Sequence, residues 1–371
     1  MDFSQFISDE RRLRSTPKSI VKSDGTCEFG TFDKEFEDLS LTKIKKPTYA
    51  PQCMNKLKLT LWEASEIVFN EGVILVAVSD MGVFGKVLTV FFDKRDKTVY
   101  TWDYTVSHKN ANVSENLING AITEGFGKGV SVKYVNNFQD GKASIKIDLK
   151  ANCKINNKEK AYRELSVDVD LTRLSLPSVV SIPFDAKKPR PLYSQKDLFK
   201  VEGSIVFNGE AMTVDSETLS IIDDHRGYYP RKCHYDWVTT MGRNTVNGEK
   251  QYFAFNLTRN QSIDQDKWNE NLIWFEGATS FLTPVTFERD VPTKDFLKVG
   301  HAIWTIRDEH GMVDIKFTID NVNAMLLHAG IVNIDYFITF GTLEGYVCDE
   351  QGNKYILDGM VGIGEDKSLL F

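Results

Sequence analysis

The sequence predicts an all-β protein built as two consecutive antiparallel β-barrels or sandwiches with a few short helices. Three observations lead there. The chain has 371 residues, more than the roughly 250–300 over which one hydrophobic core keeps growing. Phe, Tyr and Trp make up 12% of it, and aromatic residues favour half-buried pleated surfaces. Alternating apolar and polar residues, broken by turn signals, recur through both halves. Hydrophobic residues at 42% and charged residues at 26% are ordinary globular values, which excludes disorder, collagen and coiled coil as descriptions of the whole.

Residues 1–30 read as an N-terminal extension, with part of 3–14 helical. The first barrel is placed at 31–176. Segment 57–61 alternates Leu-Lys-Leu-Thr-Leu. Segment 86–92 is a β-branched and aromatic run that a polar turn joins to 98–104. Segments 131–135 and 143–149 flank an Asp-Gly hairpin signal at Asp140-Gly141, and 165–171 repeats with a period of two. A helix is expected within 112–121. Pro177, Pro183, Pro189 and Pro191 then crowd into fifteen residues. Proline cannot donate to a sheet ladder, so 177–199 reads as a connector, with 179–182 as a short edge strand at most.

The second barrel is placed at 200–371. Asn208-Gly209, the strongest hairpin signal in the chain, joins 203–207 to 211–214. Further strands are read at 237–241, 252–257, 271–275, 302–307, 313–318, 336–343 and 354–357, with a helix within 321–329.

Charge and targeting narrow the function classes. There are 45 Lys+Arg against 52 Asp+Glu, a net charge of −7. That argues against a dominant nucleic-acid or anionic-membrane role, either of which needs a basic face. Cys27, Cys53, Cys153, Cys233 and Cys348 are dispersed without CxxC spacing, as reduced thiols are. Cys233, His234 and His225 are poorly placed for one tetrahedron, so no metal and no cofactor is expected. No apolar core marks the first twenty residues as a signal sequence. The longest apolar stretch, 72–78, is far shorter than the ~20 residues of a membrane helix. A soluble, cytoplasmic protein without a transmembrane segment is the expectation.

Chemistry-bearing residue types gather between Asp223 and Trp237. This segment reads Asp-Asp-His-Arg-Gly-Tyr-Tyr-Pro-Arg-Lys-Cys-His-Tyr-Asp-Trp. Gly227 and Pro230 suggest a tight, irregular loop. Such a loop could turn Asp224, His225, Arg226 and Tyr228 into one pocket. Asp224 would orient His225 as a base, and Arg226 would bind an anionic or carbonyl group. The competing reading is a buried Arg226–Asp224 ion pair that pins the loop. A second polar set contains Asn256, Glu270 and Asn271, close to Trp237, Trp268 and Trp274. Inside a barrel these are either satisfied core groups or the hydrogen-bonding set of a ligand. The candidate catalytic residues are therefore Asp224, His225 and Glu270. The candidate ligand-binding residues are Arg226, Tyr228, Trp237, Asn256, Asn271 and Trp274.

An ordered series of short motifs resembles the family catalogued as domain of unknown function 2804. It starts at Phe29-Gly30-Thr31-Phe32 and passes through Asp224-His225-Arg226-Gly227-Tyr228-Tyr229-Pro230, Trp237, Gly242, Asn256-Leu257, Glu270-Asn271 and Glu276-Gly277. It ends with Phe340-Gly341-Thr342-Leu343-Glu344-Gly345 and Gly362-Ile363-Gly364-Glu365-Asp366. Proteins of this kind are similar in layout to the carotenoid 1,2-hydratase and tocopherol cyclase group. The resemblance implies two lipocalin-like halves and a hydrophobic cavity. Arg231-Lys232-Cys233-His234 departs from the aromatic, less charged segment that related chains carry after the proline. Three functions remain open. The first is binding of a hydrophobic small molecule, with hydration, cyclisation or isomerisation of an isoprenoid- or lipid-like substrate. The second is a non-catalytic carrier. The third is a structural or interaction protein whose barrels are filled by their own side chains.

Overall fold

A computed structural model describes residues 2–185, 187–188, 190–246, 248–329 and 332–370. Strand dominates, because the period-two segments each bury one face. Two large curled sheets, almost wholly antiparallel, carry the chain, with a few short 3-10 and α turns. The chain divides into two compact units. One is Leu13–Tyr229; the other joins Met1–Arg12 to Pro230–Phe371.

In the Leu13–Tyr229 unit the hydrogen-bonded strands close on themselves. Pro191–Phe207 pairs with Leu219–Gly227, which pairs with Thr60–Val68. Gly72–Asp80, Phe84–Asp93 and Thr98–Ser107 follow as a meander. Thr98–Ser107 meets the end of Lys142–Ile155, whose partner Glu159–Arg173 pairs back onto Pro191–Phe207. The result is a ring without free edges along that path. Alternation along these strands turns Ile67, Phe91, Trp102, Ile145, Leu165, Phe199 and Ile222 into one buried cluster. A second cluster, with Phe36, Tyr193 and Tyr228, joins the segment before the first long strand to the ring.

The other unit is a meander that curls until its two edges are neighbours in the chain. Its sheet runs from Ala278–Phe281 through Leu272–Phe275, Glu249–Arg259, Lys232–Val246 and Met360–Leu370. It continues through Val332–Cys348, Val313–Ala329 and Ala302–Arg307 to Thr286–Arg289. Residues 282–285 connect the two edge strands. Val313–Ala329 and Val332–Cys348 are 17 residues each. They stay paired across a register shift between Ile319 and Asn321, a bulge that lets such long strands bend. Trp304 packs edge-on to Phe317 in the core, with ring centroids 5.7 Å apart.

Several expectations need correction. The proline segment 177–199 is not a connector, and the division between units falls after Tyr229. It forms the hairpin of Val179–Pro183 with Pro191–Phe207, inside the first sheet. Pro183 is the last residue of one strand and Pro191 the first of the next, which is where a missing ladder donor costs least. Pro189 lies outside the described residues. No helix forms in 112–121, and 321–329 belongs to the strand Val313–Ala329. The expected loop from Asp223 is also mostly strand: Leu219–Gly227 and Lys232–Val246. The Asn208-Gly209 turn is present, with φ of 49° and 83° as its two left-handed positions require. Its outgoing strand is only Glu210–Ala211.

Gly203 lies in the long strand opposite Val169 with φ of 136°, and a Cβ there would sit 2.2 Å from the Asp168 carbonyl oxygen. Gly203→Ala is therefore expected to destabilise the protein by more than about 1 kcal/mol, read as a lower urea midpoint with an unchanged slope.

Candidate functional site

The strand Leu219–Gly227 distributes its side chains by the pleat. Ile222 enters the ring's apolar core, so Ser220, Asp224 and Arg226 face the same way and Asp223 and His225 face the opposite way. Cross-strand register extends both sets. On the interior face Asp224 lies between Gln195 and Glu63, and Arg226 lies opposite Tyr193. On the opposite face His225 lies between Ser194 and Trp62, and Asp223 lies between Lys196 and Ala64. Asp224 and His225 are consecutive residues on opposite faces, so Asp224 does not orient His225. Asp223 is the carboxylate on the His225 face, with Oδ1 at 3.1 Å from His225 Nε2.

The interior set is a chain of charged and polar groups. Arg226 donates from Nε to Asp224 Oδ1 at 2.7 Å and from Nη2 to Oδ2 at 2.9 Å. Both residues are buried. Next to them, the Tyr193 hydroxyl donates to Gln195 Oε1 at 2.8 Å. Gln195 Nε2 donates to Asp197 Oδ2 at 2.8 Å and to Glu35 Oε1 at 3.2 Å. Arg173 pairs with Glu35 and, at 3.3 Å, with Asp197. Two guanidiniums thus face the carboxyls of Glu35, Asp197, Asp224 and Glu63. Simultaneous ionisation of all four would leave buried negative charge uncompensated.

Burial is the largest cause of the titration shifts here, and neighbouring charge modifies it. Burial pushes Glu63 up to about 7, and the neighbouring charge of Asp224 adds to the rise. Hydrogen bonding by Thr123 and Asn136 and the charge of Arg226 act the other way. Burial also raises Asp197, against the attraction of Arg173. Burial lowers Arg226, but Asp224, with Tyr193 and Glu63, together outweigh it, so it ends above its ordinary value.

The opposite face holds a tighter cluster. His225 Nε2 lies 2.9 Å from Ser194 Oγ and 2.7 Å from Lys196 Nζ. Lys196 Nζ donates to Ser194 Oγ at 3.0 Å and lies 3.6 Å from Asp223. Trp62 stacks on the His225 ring at 4.9 Å and on Tyr229 at 5.5 Å, and Phe184 packs on Tyr229 at 5.6 Å. Among the sequence candidates only His225 belongs to this cluster. Tyr228 is buried in the second apolar cluster, with its hydroxyl donating to the Leu41 carbonyl at 3.1 Å.

The remaining candidates lie in the other unit and act there as a bracing network. Trp237 Nε1 donates to Asn256 Oδ1 at 2.6 Å, and Asn256 Nδ2 donates to the Glu270 carbonyl at 2.8 Å. Asn271 Oδ1 accepts from the Thr258 amide at 2.7 Å, while its Nδ2 donates to the Thr283 carbonyl at 3.0 Å. Both amides thus bond at each end to their own unit. The Glu270 carboxylate accepts from Asn260 Nδ2 at 3.0 Å, and Trp274 is fully buried. Arg11 completes the brace: it donates to the Asn271 carbonyl at 2.8 Å and also bonds Asn269 Oδ1. Burial lowers Arg11 to about 9, against the charges of Glu270 and Glu350.

Sequence reading missed Glu63, Ser194, Lys196, Trp62 and Arg11. Glu63 had a signal: a carboxylate between Trp62 and Ala64 in a strand that continues into an apolar run. Ser194 and Lys196 were hidden by the proline segment. One further cluster, His234 with Asp236 and Asp366, brings its ligand atoms within 4.8 Å. Arg289 already pairs with both carboxylates there, and Asp236 raises His234 by hydrogen bonding to it.

Two outcomes are expected. Arg226→Ala leaves Asp224 buried without its partner and costs about 3–5 kcal/mol, measured by urea denaturation. Glu63 binds its proton more tightly folded than unfolded. Its contribution to stability is therefore complete below its ordinary value of 4.5 and is lost as pH rises through about 7. The loss is on the order of 3 kcal/mol. Glu63→Gln should flatten the fall in unfolding free energy between pH 5 and 8.5.

Comparison with curated protein sequences finds no match. Among solved structures, the crystal structure of CghA is similar over 100% of this chain and 97% of its own, with 6% identity and a TM-score of 0.48. Kievitone hydratase from Nectria haematococca is similar over 84% of this chain and 88% of its own, with 11% identity and a TM-score of 0.39. CghA with Sch210972 gives a TM-score of 0.40 at 5% identity, over 84% of this chain and 88% of its own. Likeness at this level supports no argument about chemistry. The family comparison is decisive, because the domain of unknown function 2804 matches residues 10–371. The chain belongs to that family.

Proposed function

We propose that this protein binds a hydrophobic small molecule against the Trp62–Tyr229–Phe184 layer and acts on it by acid–base chemistry through His225. One observation carries the reading: a single imidazole nitrogen has a hydroxyl, an ammonium and a carboxylate within 3.1 Å, while Trp62 stacks on the ring. Histidine is the side chain used most often as a general acid or base. Lys196 and Ser194 supply further exchangeable protons at hydrogen-bond distance from it. The aromatic layer offers apolar area and a π face toward a developing positive charge.

Hydration, cyclisation and isomerisation of an isoprenoid- or lipid-like substrate share one requirement. A proton is delivered to a carbon–carbon double bond and another is removed nearby, or water is added. In this reading His225 delivers the proton and Asp223 holds the imidazole in place. Asp224 takes no direct part. Its pairing with Arg226 on the interior face keeps the strand in register beneath the cluster.

Farnesol serves as the probe. Wild-type protein should bind it by isothermal calorimetry, and Trp62→Ala should weaken binding tenfold or more, about 1.4 kcal/mol. In deuterium oxide the wild type should introduce deuterium into bound farnesol, detected by mass spectrometry, and His225→Gln should abolish this while still binding. Equal affinity in Trp62→Ala would remove the aromatic layer as the binding surface. Binding without deuterium uptake in the wild type would make the protein a carrier.

A further inference from the structure

The interior face contains an incomplete hydrogen-bond circuit, separate from the His225 cluster and on the other side of the same strands. Asn136 Nδ2 donates to Glu63 Oε1 at 2.8 Å. The other two oxygens of this pair, Glu63 Oε2 and Asn136 Oδ1, have no hydrogen-bond partner, and both residues are fully buried. Leaving two such atoms unsatisfied would cost about 1–3 kcal/mol each.

Neighbouring groups do not supply the missing bonds. On Leu219–Gly227, Arg226 is committed to Asp224 through Nε and Nη2. On Val130–Asn137, the Tyr134 hydroxyl donates to the Val76 carbonyl at 3.0 Å. On Ala121–Gly127, the Thr123 hydroxyl is close enough to favour the ionised Glu63 carboxyl, yet its single proton is donated to Ser114 Oγ at 3.2 Å. The residue opposite Glu63 on Gly72–Asp80 is Val78, which is apolar.

We infer that Glu63 and Asn136 form a buried site for one hydroxyl group, which closes the circuit by accepting from a protonated Glu63 Oε2 and donating to Asn136 Oδ1. Every donor then has an acceptor. Asn136 Nδ2 serves Oε1, the carboxylic acid serves the hydroxyl oxygen, and the hydroxyl proton serves the amide oxygen. The single proton of an alcohol hydroxyl cannot serve both Glu63 Oε2 and Asn136 Oδ1, so that circuit requires the neutral acid. Water has two protons for the two acceptors, and there burial, together with the neighbouring Asp224 charge, favours the neutral acid. The rise of Glu63 to about 7 agrees with that requirement. A water molecule and the hydroxyl end of an alcohol both meet the chemistry, and a buried polar site of this kind is where ordered water resides.

Crystals of the full chain grown at pH 6, with and without a methanol soak, test the inference alongside infrared spectra between pH 5 and 9. One oxygen should appear within hydrogen-bond distance of both Glu63 Oε2 and Asn136 Oδ1. An adjoining carbon in the soaked crystal assigns the site to alcohol hydroxyls, and oxygen alone in both assigns it to water. The infrared band of a neutral carboxyl should persist at pH 6, fade with a midpoint near 7, and be missing from Glu63→Gln. Spectra of wild type labelled with 13C-glutamate give the same reading if that variant does not fold. No oxygen between the two side chains, or no neutral-carboxyl band at pH 6, would overturn the inference. Neither result bears on His225, so this inference and the proposed function stand or fall separately.

Discussion

The fork of Arg226 on Asp224 is the interaction on which the Leu13–Tyr229 unit depends. Both residues are buried, within a ring whose other interior positions are mainly apolar. Two parallel charge-assisted bonds satisfy the carboxylate and hold the guanidinium planar against it. A buried ion pair is weak evidence for added stability, because well-packed apolar residues often do as well. Its consequence here is specificity of register. A slip of one residue in Leu219–Gly227 would move Asp224 and Arg226 off the interior face and Asp223 and His225 onto it, breaking both sets.

That constraint gives the three central strands two different faces. Inside, burial raises Glu63 and Asp197, and the neighbouring carboxyls Asp224 and Glu35, respectively, add to the rise. On the opposite face, Asp223, His225, Lys196 and Ser194 gather around one imidazole nitrogen. The same strands therefore provide both a rigid support and an exchangeable-proton cluster, and rigid strands position functional groups more firmly than loops do. In the other unit, polar residues of comparable density do something different. Asn256, Asn271 and Arg11 tie an N-terminal segment and the ends of short strands together, with each amide engaged at both ends.

Much of the fold was legible because period-two patterning is local. Segment 302–307 forms the strand Ala302–Arg307 as read, and 165–171 lies inside Glu159–Arg173. Errors came where a local signal was read without its strand partner. Prolines 183 and 191 suggested a break, yet they cap two strands that pair with each other. Residues 321–329 have poor helical period because they are strand. Gly227 ends a strand where it was expected to lie within a loop from Asp223.

By itself the sequence determined the all-β class, the ordered motifs that place the chain in its family, and the segment around Asp224-His225-Arg226 as chemically dense. These follow from residue type and from short-range order. Only tertiary structure decided which neighbours act together. Adjacent residues on a strand point apart, so Asp224 and His225 belong to different sites. Glu63 and Asn136, 73 positions apart, are brought together across the ring interior. Strand pairing joins residues by register and face, and neither quantity is written in any one segment of the chain.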